Sequence, residues 1–271
     1  MRTVKIYDGT EIPVMGLGTW TLGGRMQPDY SQDTRGLAAL RAALEIGYTH
    51  IDTAEMYASG HSEELVGQAI REVDRSQLFI TTKVHPSNLS YRRTLQSIDD
   101  SLNRLSIDVI DLYLIHWRDS KPLDEAFRAL NEAVRAGKIR YLGVSNFNLE
   151  ELRASQQLSE TPIVTNQVPY SVASREYVNN GVIPYCQEQG IVVTAYSPVE
   201  VGKLNVQRDL EQIAAAHKAT PYQIALAWLV QQPWVITIPM SHNPKHLQEN
   251  WDAAAISLSS AEMERLNALG D

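Results

Sequence analysis

Short runs of apolar residues alternate along the chain with longer segments whose apolar positions recur every three or four residues. The first pattern is typical of a buried strand and the second of an amphipathic helix, so the chain predicts repeated strand–helix units. Each run is bounded by polar residues or by glycine and proline. The predicted strands are Val14–Gly18, His50–Asp52, Phe79–Lys83, Asp111–His116, Tyr141–Ser145, Ile163–Gln167, Ile191–Ala195 and Val235–Pro239.

Helical patterns fill the segments between these strands, and several carry boundary signals. Ser62 is a candidate N-cap, and Gly47 and Gly137 lie where a left-handed C-cap residue is favoured. The helical segments include Thr34–Ile46, Glu63–Glu72, Tyr91–Leu105, Leu123–Ala136, Leu149–Gln157, Pro221–Gln232 and Ser260–Leu269.

The first residues of the chain have a different pattern. Asp8-Gly9 lies between two short runs within Val4–Pro13, which is typical of a β-hairpin with a type I′ turn. Eight strand–helix units after this hairpin favour a closed α/β barrel, the (β/α)8 TIM barrel, over an open doubly wound sheet. We therefore predict a single domain over residues 1–271, with the hairpin as an N-terminal cap.

Composition and charge narrow the class of protein. The 271 residues are 44% hydrophobic and 21% charged, as in ordinary globular proteins. A net charge of -8 provides no broad positive surface for nucleic acid or for an anionic membrane. Cys186 is the only cysteine, so an internal disulfide is excluded and no metal site is predicted. The longest apolar run, Ile224–Val230, is too short to span a bilayer, and we expect a cytoplasmic, monomeric protein.

Ionisable residues end three consecutive predicted strands. These residues are Asp52, Lys83 and His116, and Tyr57 follows Asp52 in the next loop. Each has a plain structural explanation: Asp52 as a cap or salt-bridge partner, Lys83 as a solvated strand end, and His116 as a half-buried histidine. Because active sites of such barrels lie at the C-terminal ends of the strands, their coincidence favours a shared site.

The four residues suit one kind of chemistry. A desolvated Lys83 needs a carboxylate, which Asp52 supplies from the neighbouring strand. We expect the ammonium to lower the pKa of Tyr57 from about 10 towards the working pH, which makes the phenol a proton donor. His116 is placed to orient a carbonyl oxygen. Together they suit protonation of an oxygen that becomes negative when hydride adds to an aldehyde or ketone.

These residues lie in motifs that resemble the aldo-keto reductase family, including its bacterial and archaeal reductases of small aldehydes and keto sugars. The resemblance implies a (β/α)8 barrel and NAD(P)H-dependent carbonyl reduction. It implies Tyr57 as general acid, Lys83 and Asp52 as the pair that tunes it, and His116 as the group that positions the carbonyl. The matching motifs are Gly16–Trp20, Ile51–Tyr57, Thr82–Lys83, Asp111–Trp117, Gly143–Phe147, Asn166–Gln167, Tyr196–Pro198 and Ile238–Pro239.

The same resemblance implies how a nicotinamide dinucleotide binds, since no Gly-x-Gly-x-x-Gly follows the first strand. Ser145, Asn146 and Gln167 would hold the carboxamide, and Tyr196 would stack on the nicotinamide. The segment Ser197–Leu204 would cover the pyrophosphate. The other implied cofactor contacts are Gly18, Thr19, Trp20, Asp52, Pro198, Val199, Gly202, Leu204, Ile238, Pro239, Ser241, His242, Glu249 and Asn250, the last two at the adenine.

Two positions depart from the family pattern at the adenosine phosphate. Met240 stands where a lysine is usual, and His246 where an arginine is common. Since those cations normally grip the phosphate that distinguishes NADPH from NADH, we expect NADP(H) use with weak discrimination against NAD(H). Ser241–Pro244 opens a helix whose N–H groups suit an anion.

The predicted substrate contacts are Trp20, His85, His116 and Trp117. His85 stands where many bacterial relatives have tryptophan. The chain ends at Asp271, soon after the last predicted helix, so we expect an open pocket for small aldehydes, 2-oxoaldehydes or keto sugars. Two alternatives stay open: a Schiff-base aldolase or lyase that uses Lys83, and a nucleotide-binding protein with negligible turnover.

Overall fold

The computed structural model describes residues 1–119, 122–202 and 208–270. Within these ranges, strands and helices alternate as the apolar pattern predicts. The strands are β1 (Thr3–Lys5), β2 (Glu11–Pro13), β3 (Leu17–Gly18), β4 (His50–Asp52), β5 (Phe79–Val84), β6 (Ile110–Ile115), β7 (Ile139–Ser145), β8 (Ile163–Pro169), β9 (Val192–Tyr196) and β10 (Val235–Thr237). The α-helices are α1 (Asp33–Ile46), α2 (His61–Ile70), α3 (Tyr91–Leu105), α4 (Asp124–Arg135), α5 (Leu149–Leu158), α6 (Glu176–Asn179), α7 (Val182–Glu188), α8 (Arg208–His217), α9 (Pro221–Gln231), α10 (Pro244–Ala253) and α11 (Ser260–Asn267).

Strands β3 to β10 form one parallel sheet in which each strand pairs with the next along the chain. The two edges of this sheet meet. Thr237 donates its N–H to the carbonyl of Val14 at 2.9 Å, and Gly16 donates to the carbonyl of Thr237 at 2.8 Å. These bonds close the sheet into a (β/α)8 barrel and confirm the predicted fold class.

The first and last barrel strands are shorter than predicted. The segment Val14–Gly18 contributes only β3 and an isolated bridge between Met15 and Thr237. The segment Val235–Pro239 ends as a strand at Thr237. Pro239 has no N–H, so it can only accept there, and its carbonyl receives the N–H of Gly18 at 3.3 Å.

The N-terminal hairpin forms, but its predicted turn type is wrong. β1 and β2 pair antiparallel, with Thr3 opposite Pro13. A type I′ turn needs positive φ at two consecutive residues, whereas Gly9 has φ +89° and Asp8 is not in the left-handed region. Asp8 is held instead by the hydroxyl of Tyr141, which donates to Oδ2 at 2.6 Å. Asp8 is thus held both by this contact with β7 and by the N–H of Thr10 within the turn.

One helix boundary also differs from its prediction. Ser62 does not cap α2, which begins at His61 after Gly60 with φ +94°. The Ser62 hydroxyl donates to the carbonyl of Thr19 at 3.3 Å instead, because the loop after β3 lies directly above it. Gly47 does adopt the predicted left-handed C-cap at the end of α1, with φ +116°.

Apolar side chains fill two compartments. The larger core lies between the sheet and the surrounding helices. A second cluster fills the barrel near the hairpin and includes Ile6, Ile12, Phe79, Leu112, Leu114, Tyr141, Val164, Val192 and Ile236. None of the helices in the described ranges is long and apolar enough to cross a membrane.

Candidate active site

A cavity of about 950 Å³ opens at the C-terminal ends of the barrel strands. Asp52, Tyr57 and His116 line it, and Lys83 lies buried beside Asp52. Every implied cofactor contact within the described ranges also lines it, while Leu204 falls outside those ranges. Those lining residues are Gly18, Thr19, Trp20, Asp52, Ser145, Asn146, Gln167, Tyr196, Ser197, Pro198, Val199, Gly202, Ile238, Pro239, Met240, Ser241, His242, His246, Glu249 and Asn250.

Lys83 and Asp52 form a buried ion pair at the base of the cavity. Lys83 is 0% exposed, and its Nζ donates to Oδ1 of Asp52 at 2.5 Å and to the carbonyl of Thr53 at 2.7 Å. Gln167 donates to the other Asp52 oxygen at 2.8 Å. Burial lowers the pKa of Lys83, and the nearby carboxylates of Asp52 and Glu63 oppose that effect. Both charged groups therefore have partners in a place that water does not reach.

Tyr57 begins a short 3₁₀ turn that follows β4. The next two residues, Ala58 and Ser59, have φ of +50° and +53°, so the backbone turns back sharply over the barrel mouth. The ring centre of Tyr57 lies 5.2 Å from Nζ of Lys83 and 5.0 Å from the ring centre of Trp20. The loop thus brings the phenol and the ammonium to one cavity from separate strands.

The expectation that Lys83 lowers the pKa of Tyr57 is wrong for this structure. Burial, followed by the negative charge of Asp52, raises the pKa of Tyr57 well above its ordinary value. The reason is geometric, since the ammonium donates to Asp52 and Thr53 and has the Tyr57 ring, at 5.2 Å, only as a neighbour. The structure therefore holds Tyr57 as a neutral phenol.

His116 follows β6 and is only 9% exposed. Burial, then the charges of Lys83 and His85, lowers the pKa of His116 to about 2. Its Nδ1 has no hydrogen-bond partner within the described residues. The ring centre lies 5.7 Å from that of Tyr57, so a neutral imidazole and a neutral phenol face the same space.

Amide and hydroxyl groups line the wall next to these residues. Asn146 has φ +60°, and its Nδ2 donates to the carbonyl of His116 at 3.1 Å. Its Oδ1 accepts from the hydroxyl of Tyr196 at 2.8 Å. Ser145 donates to the carbonyl of Gln167 at 2.9 Å. This network fixes the side chains at the ends of β7, β8 and β9 before any ligand arrives.

Gly18 shows why the first strand needs a glycine at this wall. A Cβ at this position would lie 2.6 Å from the carbonyl oxygen of Ile238, so a larger residue would push β3 away from the segment after β10. The two segments approach this closely only because Gly18 has no side chain.

The other end of the cavity lies at the start of α10. Asn243 caps this helix by accepting the N–H of Lys245 at 3.0 Å. His242 is half-buried, and its Nδ1 has no partner within the described residues. Met240 is also half-buried and packs against the core. This end thus offers the N–H groups at the start of α10 and the imidazole of His242, beside the apolar Met240 and the carboxylate of Glu249.

Several cavity residues were not anticipated from the sequence. They come from helices and loops, for which the strand-end argument carries no signal. Arg35, in the first turn of α1, is the one with a formal charge. The others are Thr21, Met56, Thr220, Tyr222 and Gln223.

His85 is the one described substrate candidate that the structure does not bring to this cavity. It lines a neighbouring cavity of about 530 Å³, and its N–H donates to Glu55 at 2.5 Å. Its Nδ1 lies 2.8 Å from the hydroxyl of Ser87. The ring packs edge-on against Trp117, with 5.3 Å between ring centres, and Trp117 itself lines the main cavity. Trp20, His116 and Trp117 do line the main cavity.

Comparison with known proteins agrees with this geometry. Residues 14–271 match the model of the Aldo/keto reductase family. The chain is 36% identical over 272 residues to the methylglyoxal reductase YeaE of Escherichia coli (strain K12), covering 98% of this chain and 94% of that one.

Two solved structures extend the likeness to the fold. A thermostable aldo-keto reductase, Tm1743, in complex with the inhibitor epalrestat, superposes with a TM-score of 0.97 at 45% identity over 100% of both chains. An aldo/keto reductase from Klebsiella pneumoniae in complex with NADP and acetate superposes with a TM-score of 0.89 at 38% identity, covering 98% of this chain and 94% of that one. The chain belongs to the aldo/keto reductase family of oxidoreductases.

Proposed function

We propose that this protein reduces small aldehydes and ketones to alcohols with NADPH, and that Tyr57 donates the proton. One observation carries the proposal: the phenol of Tyr57 and the imidazole of His116 face one cavity above the buried Lys83–Asp52 pair. The likeness to a methylglyoxal reductase and to a reductase crystallised with NADP supports it.

The cavity suits an extended dinucleotide. It runs from Tyr57 and His116, past the amides of Asn146 and Gln167, to the start of α10, and its volume of about 950 Å³ is at the upper end for cofactor sites. The partnerless Nδ1 of His242 points to a missing polar partner at the far end. We propose that Asn146, Ser145 and Gln167 hold the carboxamide and that Tyr196 packs on the nicotinamide ring.

The proposed roles follow from the charges at the base of the cavity. The nicotinamide, when bound, supplies the hydride. Tyr57 then donates its proton to the carbonyl oxygen as that oxygen gains negative charge. An alkoxide is a stronger base than a phenolate, so the transfer is favourable even though burial raises the pKa of Tyr57. Asp52 keeps the ammonium of Lys83 charged 5.2 Å from the Tyr57 ring. We propose that this charge offsets part of the cost of the phenolate that is left, without bringing the Tyr57 pKa down to the working pH.

His116 has a separate proposed role. With a pKa near 2 its ring is neutral at working pH and can donate one N–H to the carbonyl oxygen without carrying a charge. Such a donor fixes the direction of the carbonyl while leaving proton transfer to Tyr57. The imidazole is therefore proposed to orient the substrate and Tyr57 to act as the acid.

Substrate size and charge follow from the outer wall. Trp20, Met56 and Trp117 line the opening beside Tyr57 and carry no charge. We propose uncharged, small carbonyls such as 2-oxoaldehydes, since a charged substrate would lose its hydration against these rings without gaining a partner. A Schiff-base reaction at Lys83 is disfavoured, because its Nζ is fully buried and already donates to two oxygens.

The test is a kinetic assay that follows NADPH or NADH oxidation with methylglyoxal and a panel of small aldehydes and ketones. We expect turnover with both cofactors and a preference for NADPH below about a hundredfold in kcat/KM, which corresponds to about 2.7 kcal/mol. Absence of cofactor oxidation with every carbonyl, in folded protein that binds NADPH, would instead favour a nucleotide-binding protein without turnover.

A further inference from the structure

Arg35 is an unpaired cation at the adenosine end of the main cavity. It is exposed, lies in the first turn of α1 and lines the cavity together with Met240, His242 and His246. No ion pair or hydrogen bond of its side chain is found within the described residues. The guanidinium, with its five donors, therefore lines the cavity without an acceptor bonded to it among those residues.

The carboxylates near Arg35 have other partners. Asp33, in the same helical turn, lies 2.8 Å from Nε2 of His61. Glu249, which lines the same end of the cavity, pairs with Lys245 at 3.6 Å. An anion that enters this end therefore meets Arg35 without displacing an existing ion pair.

Helix stability does not account for an arginine at this position. A cation in the first turn of a helix faces the positive end of the helix dipole, which is unfavourable. An anion bound beside the guanidinium would interact favourably with both the guanidinium and the helix dipole. The position of Arg35 is thus better suited to a negative ligand than to the free helix.

Neighbouring groups show that the guanidinium acts on this end of the cavity. Burial, and then the positive charge of Arg35, lowers the pKa of His242. The Nδ1 of His242 is buried and lacks a partner within the described residues. Met240, between these groups and β3, adds no charge. Arg35 therefore supplies positive charge to this end of the cavity from α1, which packs beside α10.

We propose that Arg35 binds the 2′-phosphate of NADP(H) and is a residue that sets the preference for NADP(H) over NAD(H). This inference rests on the proposed use of a nicotinamide dinucleotide in this cavity. A guanidinium can pair with two phosphate oxygens at once, and the 2′-hydroxyl of NAD(H) would offer it no such charge-assisted contact. Arg35 would thereby supply the positive charge that Met240 lacks.

The test measures binding, which needs no turnover. Titration calorimetry with NADP⁺ and NAD⁺ is compared for the unmodified protein, Arg35→Ala, Arg41→Ala and the double variant Arg35→Ala/Met240→Lys. Arg41 is the matched control, because it is an exposed arginine on the same helix that does not line the cavity. Thermal unfolding of each variant checks that the fold is unchanged.

We expect Arg35→Ala to weaken NADP⁺ binding about tenfold or more, the range for a lost charge-assisted contact, while NAD⁺ binding stays within about twofold. Arg41→Ala should bind both dinucleotides as the unmodified protein does. Met240→Lys in the Arg35→Ala background should restore most of the NADP⁺ affinity, because the new ammonium lies on the wall of the same cavity.

Three results would overturn the inference. If Arg35→Ala lost the same affinity for NADP⁺ as for NAD⁺, Arg35 would contact a part of the dinucleotide that both share, such as the pyrophosphate. No change for either would place it outside the site, and equal affinity of the unmodified protein for both would leave no preference to explain. Binding of neither dinucleotide by the folded, unmodified protein would instead reject the proposed function.

Discussion

The two ends of the barrel interior are built from the same strands and have opposite chemistry. On β5, Phe79 packs into the apolar cluster near the hairpin, whereas Lys83, four residues on, lies buried in an ion pair. On β6, Leu112 belongs to the apolar cluster and His116 follows the strand at the cavity. Because side chains alternate across a strand, both pairs are in register to face inward.

This contrast shows what burial does at each end. Near the hairpin, burial of Ile12 and Phe79 stabilises the fold by removing apolar area from water. At the cavity, burial disfavours charge, so it raises the pKa of Tyr57 and lowers that of His116. One end of the barrel accordingly contributes stability, and the other holds unusual protonation states.

The largest expected effect separates chemistry from stability at the cavity end. Tyr57→Phe should lower kcat for carbonyl reduction by about 10³-fold, since it removes the proposed proton donor and keeps the ring contacts with Trp20 and His116. NADP⁺ affinity and the unfolding free energy should change little. Tyr30→Phe is the control, because Tyr30 is 68% exposed and does not line the cavity. Near-normal turnover of Tyr57→Phe would reject the phenol as the acid.

The second prediction applies the same separation to the hairpin end. Ile12→Ala should lower the free energy of unfolding by about 3 kcal/mol, because Ile12 is fully buried in the apolar cluster. Ile12→Val should cost about 1 kcal/mol. Denaturant unfolding measures both. Activity per folded molecule should be unchanged, and a fall in kcat equal to that of a cavity variant would show that the two ends are not independent.

A smaller effect concerns the first residue of α2. His61 is buried, with Nδ1 2.7 Å from Glu64 and Nε2 2.8 Å from Asp33, and Tyr30 packs on its ring. The two carboxylates raise the pKa of His61 against the effect of burial. The charged imidazole then contributes to the free energy of unfolding. This contribution is fully present below the pKa of histidine in the unfolded chain, about 6.5, and is lost as the pH rises through the raised pKa of the folded protein.

Denaturant unfolding at pH 5.5 and pH 9 tests this sign. The stability of the unmodified protein relative to His61→Gln should be greater at pH 5.5 than at pH 9. A difference that is the same at both pH values would mean that the imidazole is held neutral between the two carboxylates.

The smallest expected effect is an absence of titration at the cavity. With the pKa of His116 near 2 and that of Tyr57 above its ordinary value, neither group changes charge between about pH 5 and pH 8. The kcat for reduction should therefore vary by less than about twofold across this range. A rise in kcat on acidification with a midpoint near 6.5 would show that His116 titrates as an ordinary histidine.

The local pattern of apolar and polar residues was sufficient to predict much of the barrel. Asp52, Lys83 and His116 could be placed at neighbouring strand ends because alternation and strand length record which face is buried. The left-handed cap at Gly47 was predictable for a similar reason, since only the local backbone is involved. Helices α6 and α7, between β8 and β9, and α8, between β9 and β10, were not anticipated.

Other features depend on residues that are far apart in the chain. Ser62 bonds to Thr19 instead of capping α2, and His85 is held away from the cavity by Glu55 and Trp117. The upward shift of the Tyr57 pKa follows from the burial of the phenol and from the hydrogen bonds of Lys83, which go to Asp52 and Thr53. Arg35 reaches the cavity because α1 packs beside α10.

Residue types and their period thus indicate which side chains are buried and at which end of a strand they lie. Desolvation and the sum of charge interactions depend on distances that no local period contains, such as the 2.8 Å between Gln167 and Asp52, 115 residues apart. For this reason the chain alone pointed to the proposed reacting groups, whereas their protonation states and the presence of Arg35 at the cavity came from the folded arrangement.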